Sequence, residues 1–191
     1  MMEIVLASAS PRRLELMNML GFEDLTVLPA AGEESVDLTQ PPHEIVRQLA
    51  MNKAVEVSLR CGGHPLIVAA DTIVWYNNKV YGKPEDEEDA FRMLRSLSGN
   101  THSVFTGVAV FRDGELDLRS EESRVTFREL SDEEIRGYIA TGEPMDKAGA
   151  YGVQGKGAVF VEHLDGDFFN VMGLPLCTLA QMLKQQGVKV F

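Results

Sequence analysis

Ten polar residues of this 191-residue sequence are of types that could do chemistry together: Ser8, Ser10, Arg12, Arg13, Glu34, Lys53, Asp71, Lys83, Lys147 and Gln154. Several cations with two or more carboxylates is the composition of a site for metal-assisted phosphoryl chemistry. The cations would hold anionic phosphates, and the carboxylates would hold an oxygen-preferring divalent ion such as Mg²⁺ or Mn²⁺. Asp71 is the sharpest of these signals, because it interrupts the apolar run Leu-Ile-Val-Ala-Ala-Asp-Thr-Ile-Val-Trp at 66–75. A carboxylate on a central strand is costly to bury unless it is paired, metal-bound or facing a cleft. The bland account has it satisfied by backbone and hydroxyl donors such as Thr72. The two preceding alanines favour the functional account, since they leave space beside the carboxylate. In a low-dielectric cleft it can also take a proton from an attacking water. No Ser–His–Asp or Cys–His pairing presents itself, which argues against covalent catalysis.

The elements that must position these groups are legible in order. Ile4 to Leu6 reads as a short buried strand ending in the small residues Ala7 to Ser10. Ser10 is suited to the N-cap and Pro11 to the first turn of a helix carrying Leu14, Leu16, Met17 and Leu20. The free N–H groups of that helix start, with Arg12 and Arg13, form a corner that attracts phosphate. Residues 25–29 suggest a second short strand. Pro41-Pro42 opens a helix with Ile45, Val46, Leu49, Ala50 and Val57 buried and Lys53 in its body, closed at Cys61-Gly62-Gly63. The continuous apolar character of 66–75 predicts a strand covered on both faces. Asn77-Asn78 is a hairpin signal that returns the chain through 79–81 to Gly82-Lys83-Pro84 and brings Lys83 toward the level of Asp71. That tripeptide is not a Walker loop, since the upstream glycine spacing and the following Ser/Thr are missing.

Residues 85–97 form a helix with Phe91, Leu94 and Leu97 inward. Strands over 102–111 and 123–127 are expected to join through Asp113-Gly114. Ser131 to Glu134 is a capping box for a short helix. Residues 141–157 change character: glycines recur with little apolar periodicity, and Asp146, Lys147, Tyr151 and Gln154 argue for a functional loop. A hairpin of strands 158–163 and 167–172 and a helix from Leu176 complete the chain. Alternating strands and helices followed by hairpins predict one domain over 1–191, α/β in class, with a mixed central sheet flanked by helices.

Composition sets the bounds. An apolar fraction of 45% and a charged fraction of 25% are those of a soluble globular protein. A net charge of -11 argues against nucleic acid as the partner, yet a nucleotide needs only a local pocket of cations. No apolar run is long enough to span a membrane. Cys61 and Cys177 have no metal-type spacing and read as free thiols of a cytoplasmic protein, and the four histidines form no cluster.

Four motifs in order carry a resemblance. They are Leu-Ala-Ser-Ala-Ser-Pro-Arg-Arg-Leu at 6–14, Ala-Asp-Thr-Ile-Val at 70–74, Gly82-Lys83-Pro84, and Gly-Glu-Pro-Met-Asp-Lys-Ala-Gly-Ala-Tyr-Gly-Val-Gln-Gly at 142–155. In these the chain resembles the Maf family, known both as septum-formation inhibitors and as nucleoside triphosphate pyrophosphatases. The resemblance implies a cytoplasmic homodimer with a deep cleft like that of inosine triphosphate pyrophosphatases. It implies cleavage between the α and β phosphates, giving monophosphate and pyrophosphate with a divalent metal. By the same likeness Asp71 is the proton acceptor and a metal neighbour, Glu34 the second metal carboxylate, and Ser8, Arg13, Lys53 and Lys83 bind phosphates. Arg12, Thr72 and Gln154 match the branch acting on dTTP and UTP, with modified pyrimidine triphosphates a further substrate class. The amide of Gln154 can both donate to and accept from a uracil edge. Two other readings stand beside this one: a nucleotide-sensing regulator of septation with little turnover, and a 7-methyl-GTP pyrophosphatase. The branch of the latter lacks the arginine at position 12 and has glutamine after the aspartate.

Overall fold

In the computed structural model, which describes residues 3–32 and 35–190, strands and helices first alternate and hairpins follow. Strand β1 (Ile4–Leu6) lies parallel to β2 (Thr26–Val27) on one side and to β3 (Leu66–Tyr76) on the other. Parallel neighbours need long crossovers, and helices α1 (Pro11–Met19) and α2 (Pro42–Arg60) supply them. Strand β4 (Lys79–Tyr81) folds back on β3 through Asn77 and Asn78, both at positive φ, 49° and 56°, as a tight two-residue turn demands. Helix α3 (Glu87–Leu97) leads to the long strands β5 (Thr101–Arg112) and β6 (Glu115–Phe127), then to α4 (Asp132–Ile139). Strand β7 (Val161–Asp165), α5 (Phe168–Met172) and α6 (Leu176–Gln185) end the chain. The strand order is β2-β1-β3-β5-β6-β7, with β4 on β3, so the sheet is mixed as expected.

The chain divides into two compact units, one of Met1–Asp71, Thr106–Glu121 and Gly173–Phe191, the other of Thr72–Phe105 and Glu122–Met172. The core of the first is built of small residues: Val5, Ala7, Ala50, Ala54, Val57, Ile67, Ala69 and Ala109 are all buried together. Helix α2 therefore lies very close to the strands beneath it. At Gly107 on β5 a Cβ would sit 2.1 Å from the carbonyl oxygen of Val46, so the strand must be bare there. The second unit has an aromatic core. Phe127 meets Tyr151 and His102 edge-on, at 4.7 and 5.0 Å between ring centres, and Phe160 meets Tyr138 the same way at 4.9 Å.

Several expectations need correction. Residues 167–172 are not a strand: the Asp167 carboxylate accepts the N–H of Phe169 and starts helix α5, in which the buried Asn170 donates to Val104 O and Ser123 Oγ. Residues 156–160 are a 3₁₀ turn, and only 161–165 pair with β6. Strand β6 begins at Glu115 rather than 123: Leu116 and Leu118 alternate with Glu115, Asp117 and Arg119, a short strand signal ahead of the polar stretch at 119–122. Phe91 is only half-buried, since Ala90 takes the inward position and the guanidinium of Arg136 covers the Phe91 ring, 4.4 Å from its centre. Ser10 is the N-cap of α1, but its side chain makes no capping bond. The capping box at Ser131 and Glu134 forms as expected, with both reciprocal bonds.

Candidate active site

Ser8 lies in the tight turn between β1 and α1, 7% exposed, and its Oγ gathers that turn. It accepts the N–H of Ser10 at 3.2 Å and an Nη1 hydrogen of Arg13 at 3.3 Å. Arg13 also donates from Nε to the carbonyl of Gly173 at 2.8 Å, so the guanidinium is fixed by two elements distant in sequence. Gly173 holds that carbonyl at a positive φ of 116°, a conformation glycine adopts without strain. Arg12, one residue back, is half-buried on the same first turn of α1. The sequence-predicted corner is thus a real constellation of hydroxyl, guanidinium and helix start.

The second constellation joins α2 to β3. Lys53 falls on the same stripe of α2 as Ala50, Ala54 and Val57, at helical spacing. Asp71 follows Ile67 and Ala69 at strand spacing, on the same face of β3. The small residues between bring helix and strand close, and the Lys53 ammonium donates to Oδ2 of Asp71. Both side chains are largely buried, 17% and 11% exposed. An aspartate in the middle of an apolar strand is thereby explained: it has a cation of its own, carried by the adjoining helix.

Glu33 and Glu34 lie outside the described residues, so the expected second carboxylate is not located. The approach to them is fixed, however. The Glu56 carboxylate of α2 accepts the N–H groups of Ala31 and Gly32 at 2.8 and 3.0 Å. Those bonds, with Arg60, outweigh burial and hold Glu56 below the usual carboxylate range. Among the described residues no three His, Cys, Asp or Glu side chains cluster as a closed metal cage.

In the second unit, Thr72 follows Asp71 along β3 and is half-buried. Lys83 is exposed two residues past the last β3–β4 pair, Val74 with Tyr81. The carbonyl of its neighbour Gly82 accepts the N–H of Gly149 at 3.0 Å, which ties this segment to the glycine-rich one. Lys147 is half-buried, its ammonium on the carbonyl of Glu143 at 2.8 Å and on Asp146 at 2.6 Å. Gln154 is exposed in a turn closed by the Gly155 N–H on the Gly152 carbonyl, 3.2 Å.

The segment 141–157 is not slack. It is wound into short 3₁₀ turns, and Gly149 to Val153 are buried. Tyr151 belongs to the core: its hydroxyl shares a 2.8 Å hydrogen bond with Nε2 of the buried His102. Burial pushes the Tyr151 phenol up and the His102 imidazole down, the latter to about 3. Sequence reasoning passed over Glu143, whose carboxylate organises the segment, because a glutamate after a glycine looks like solvated surface. Its position immediately before Pro144, inside a glycine run, was the available signal.

A family model for the Maf-like proteins matches residues 3–186. A curated Bacillus cereus protein described as a dTTP/UTP pyrophosphatase is 44% identical over 190 residues, covering 100% of this chain and 98% of its own. A Clostridium perfringens protein of the same description is 44% identical over 191 residues, covering 99% of this chain and 100% of its own. Among solved structures, a HAM1 protein from Coxiella burnetii superposes with a TM-score of 0.56, covering 97% of this chain and 100% of its own. At 16% identity that likeness speaks for the fold alone.

Proposed function

Because the chain belongs to the Maf family, we propose that it is a nucleoside triphosphate pyrophosphatase acting on dTTP and UTP, and on modified pyrimidine triphosphates of the same shape. The reaction would release the nucleoside monophosphate and pyrophosphate. The observation that carries the reading is the Lys53–Asp71 pair, in a chain 44% identical over its length to two proteins described as dTTP/UTP pyrophosphatases. An acid–ammonium pair between a helix and a central strand adds nothing a packed apolar core needs. It does supply a proton acceptor and a phosphate-binding cation side by side.

In this reading Ser8, Ser10, Arg12 and Arg13 hold the phosphates at the positive end of α1, and Lys53, Lys83 and Lys147 add point charges. Asp71 receives at its carboxylate the proton of the water that attacks phosphorus. Gln154 and Thr72 favour a pyrimidine. The donor chemistry fits Mg²⁺ or Mn²⁺: such an ion takes one or two carboxylates and draws its remaining oxygens from phosphates and water, so no closed cage is required. Asp71 and Glu34 would hold it, and when bound it would neutralise phosphate charge and acidify the attacking water. A homodimer in the cytoplasm is the expected assembly. No described helix is long and apolar enough to cross a membrane.

The test is pyrophosphate release from a panel of nucleotides with Mg²⁺ or Mn²⁺. dTTP and UTP should lead it, with 7-methyl-GTP the poorest. Asp71→Asn should lower turnover by about 10²–10⁴-fold, the usual weight of general acid–base catalysis, while nucleotide still binds. Undiminished turnover in that variant would remove the proposed base.

A further inference from the structure

We infer that Tyr138 and Glu143 form a clamp that positions the turn presenting Gln154, and that this clamp sets how well the base is discriminated. The inference rests on the pyrimidine reading above for its functional half and on geometry alone for its structural half.

The turn runs from Gly152 to Gly155 with Val153 and Gln154 at its centre, one end held by Tyr138 and the other by Glu143. At its start, the Gly152 N–H donates to the Tyr138 hydroxyl at 3.0 Å. Past its end, the N–H groups of Lys156 and Gly157 donate to the two oxygens of the Glu143 carboxylate at 2.9 and 3.1 Å. The clamp closes on itself because the Tyr138 hydroxyl donates to Glu143 Oε1 at 2.8 Å. Tyr138 comes from α4 and is 5% exposed, so the anchor is rigid.

The glycines of the turn follow from this arrangement. A Cβ on Gly155 would lie 2.6 Å from both Glu143 oxygens, and one on Gly157 would lie 2.8 Å from the Tyr138 hydroxyl. Backbone is wrapped directly around a carboxylate, as it wraps around anions elsewhere. Burial works against the charged form of Glu143, yet the two N–H groups, the phenol and Lys147 outweigh it and hold the carboxyl below its usual range. Nothing in the aromatic core requires a carboxylate at this place. What the clamp does fix is the backbone on either side of one exposed amide side chain. A base-edge contact is sensitive to ångström-scale displacement, so the stiffness of that backbone is itself a determinant of discrimination.

Tyr138→Phe keeps the ring against Phe160 and deletes only the hydroxyl, and Glu143→Gln keeps shape and places an amide opposite N–H donors. Two readouts separate the structural from the functional half. Amide hydrogen exchange should accelerate about tenfold at Gly152 in Tyr138→Phe, which deletes that N–H's acceptor, and at Lys156 or Gly157 in Glu143→Gln, where one accepting oxygen becomes an NH₂. The ratio of kcat/KM for dTTP over dATP should fall about tenfold, mainly through KM for dTTP. Unchanged exchange overturns the clamp. Faster exchange with an unchanged ratio, in a protein whose wild type prefers dTTP, overturns its role in discrimination. A wild type without pyrimidine preference refutes the proposed substrate instead, and exchange still judges the clamp.

Discussion

Replacing Lys53 by methionine isolates what the central ion pair does for the fold. The methionine keeps the length and apolar stem of the side chain but leaves Asp71 on β3 without its ammonium. Removing one partner of a fully buried pair costs about 3–5 kcal/mol. This pair is not sealed, with 17% and 11% of the side chains exposed, so solvent screens part of the loss and about 2–3 kcal/mol is expected. For a chain of this size that lowers Tm by roughly 5–10 °C. Asp71→Asn should cost less, because a neutral amide remains beside a lysine that can turn to water. The double variant should recover about 1–2 kcal/mol relative to the sum of the singles, as a direct contact requires. Denaturant unfolding of the four proteins, with pyrophosphate release measured in parallel, completes the cycle. Additive singles, or a Lys53→Met variant within about 0.5 kcal/mol of wild type, would show that the pair is fully hydrated and refute the reasoning.

Other expectations follow from the same structure. His102 is held near 3 by burial, below its ordinary value of 6.5, so between these values the unfolded chain binds a proton that the folded chain does not. Stability should level off above pH 6.5 and fall by about 1 kcal/mol per unit between pH 6.5 and 5; a flat profile there contradicts a buried neutral imidazole. Gly107→Ala should cost about 3 kcal/mol or more, since the new methyl meets the main chain of α2, which cannot rotate aside; a loss under about 1 kcal/mol would mean that α2 shifts cheaply. Gln154→Glu should weaken the preference for pyrimidine triphosphates in the nucleotide panel, and an unchanged ranking would mean that the base is read by other residues.

Local signals carried the first half of the chain well. The helix starts at Pro11 and Pro42, the hairpin at Asn77-Asn78 and the continuous apolar run of β3 each have a short-range physical cause, and each appears where that cause puts it. The site was legible to the degree that its residues violated those causes. Asp71 stood out because a carboxylate interrupts an apolar strand, and Lys53 became meaningful only when packing placed the two on facing surfaces. What could not be read was long-range. Residues 167–172 are held as a helix by bonds to other elements, the Asp167 N–H on Ser123 Oγ and the Asn170 amide on Val104 O and Ser123 Oγ. Tyr151 seemed available to a ligand until its hydroxyl was found on His102.

The wrapping of 152–157 around Glu143 has a practical corollary for chimaeras. On the proposed reading of Gln154, a graft meant to move substrate choice between relatives would ordinarily be cut at the flanking glycines, near 142 and 157. Here such a graft would leave behind the phenol on α4 and strand the incoming backbone without its acceptor. The smallest portable module therefore begins upstream, at Tyr138, and only a transplant that includes the end of that helix should transfer substrate choice intact.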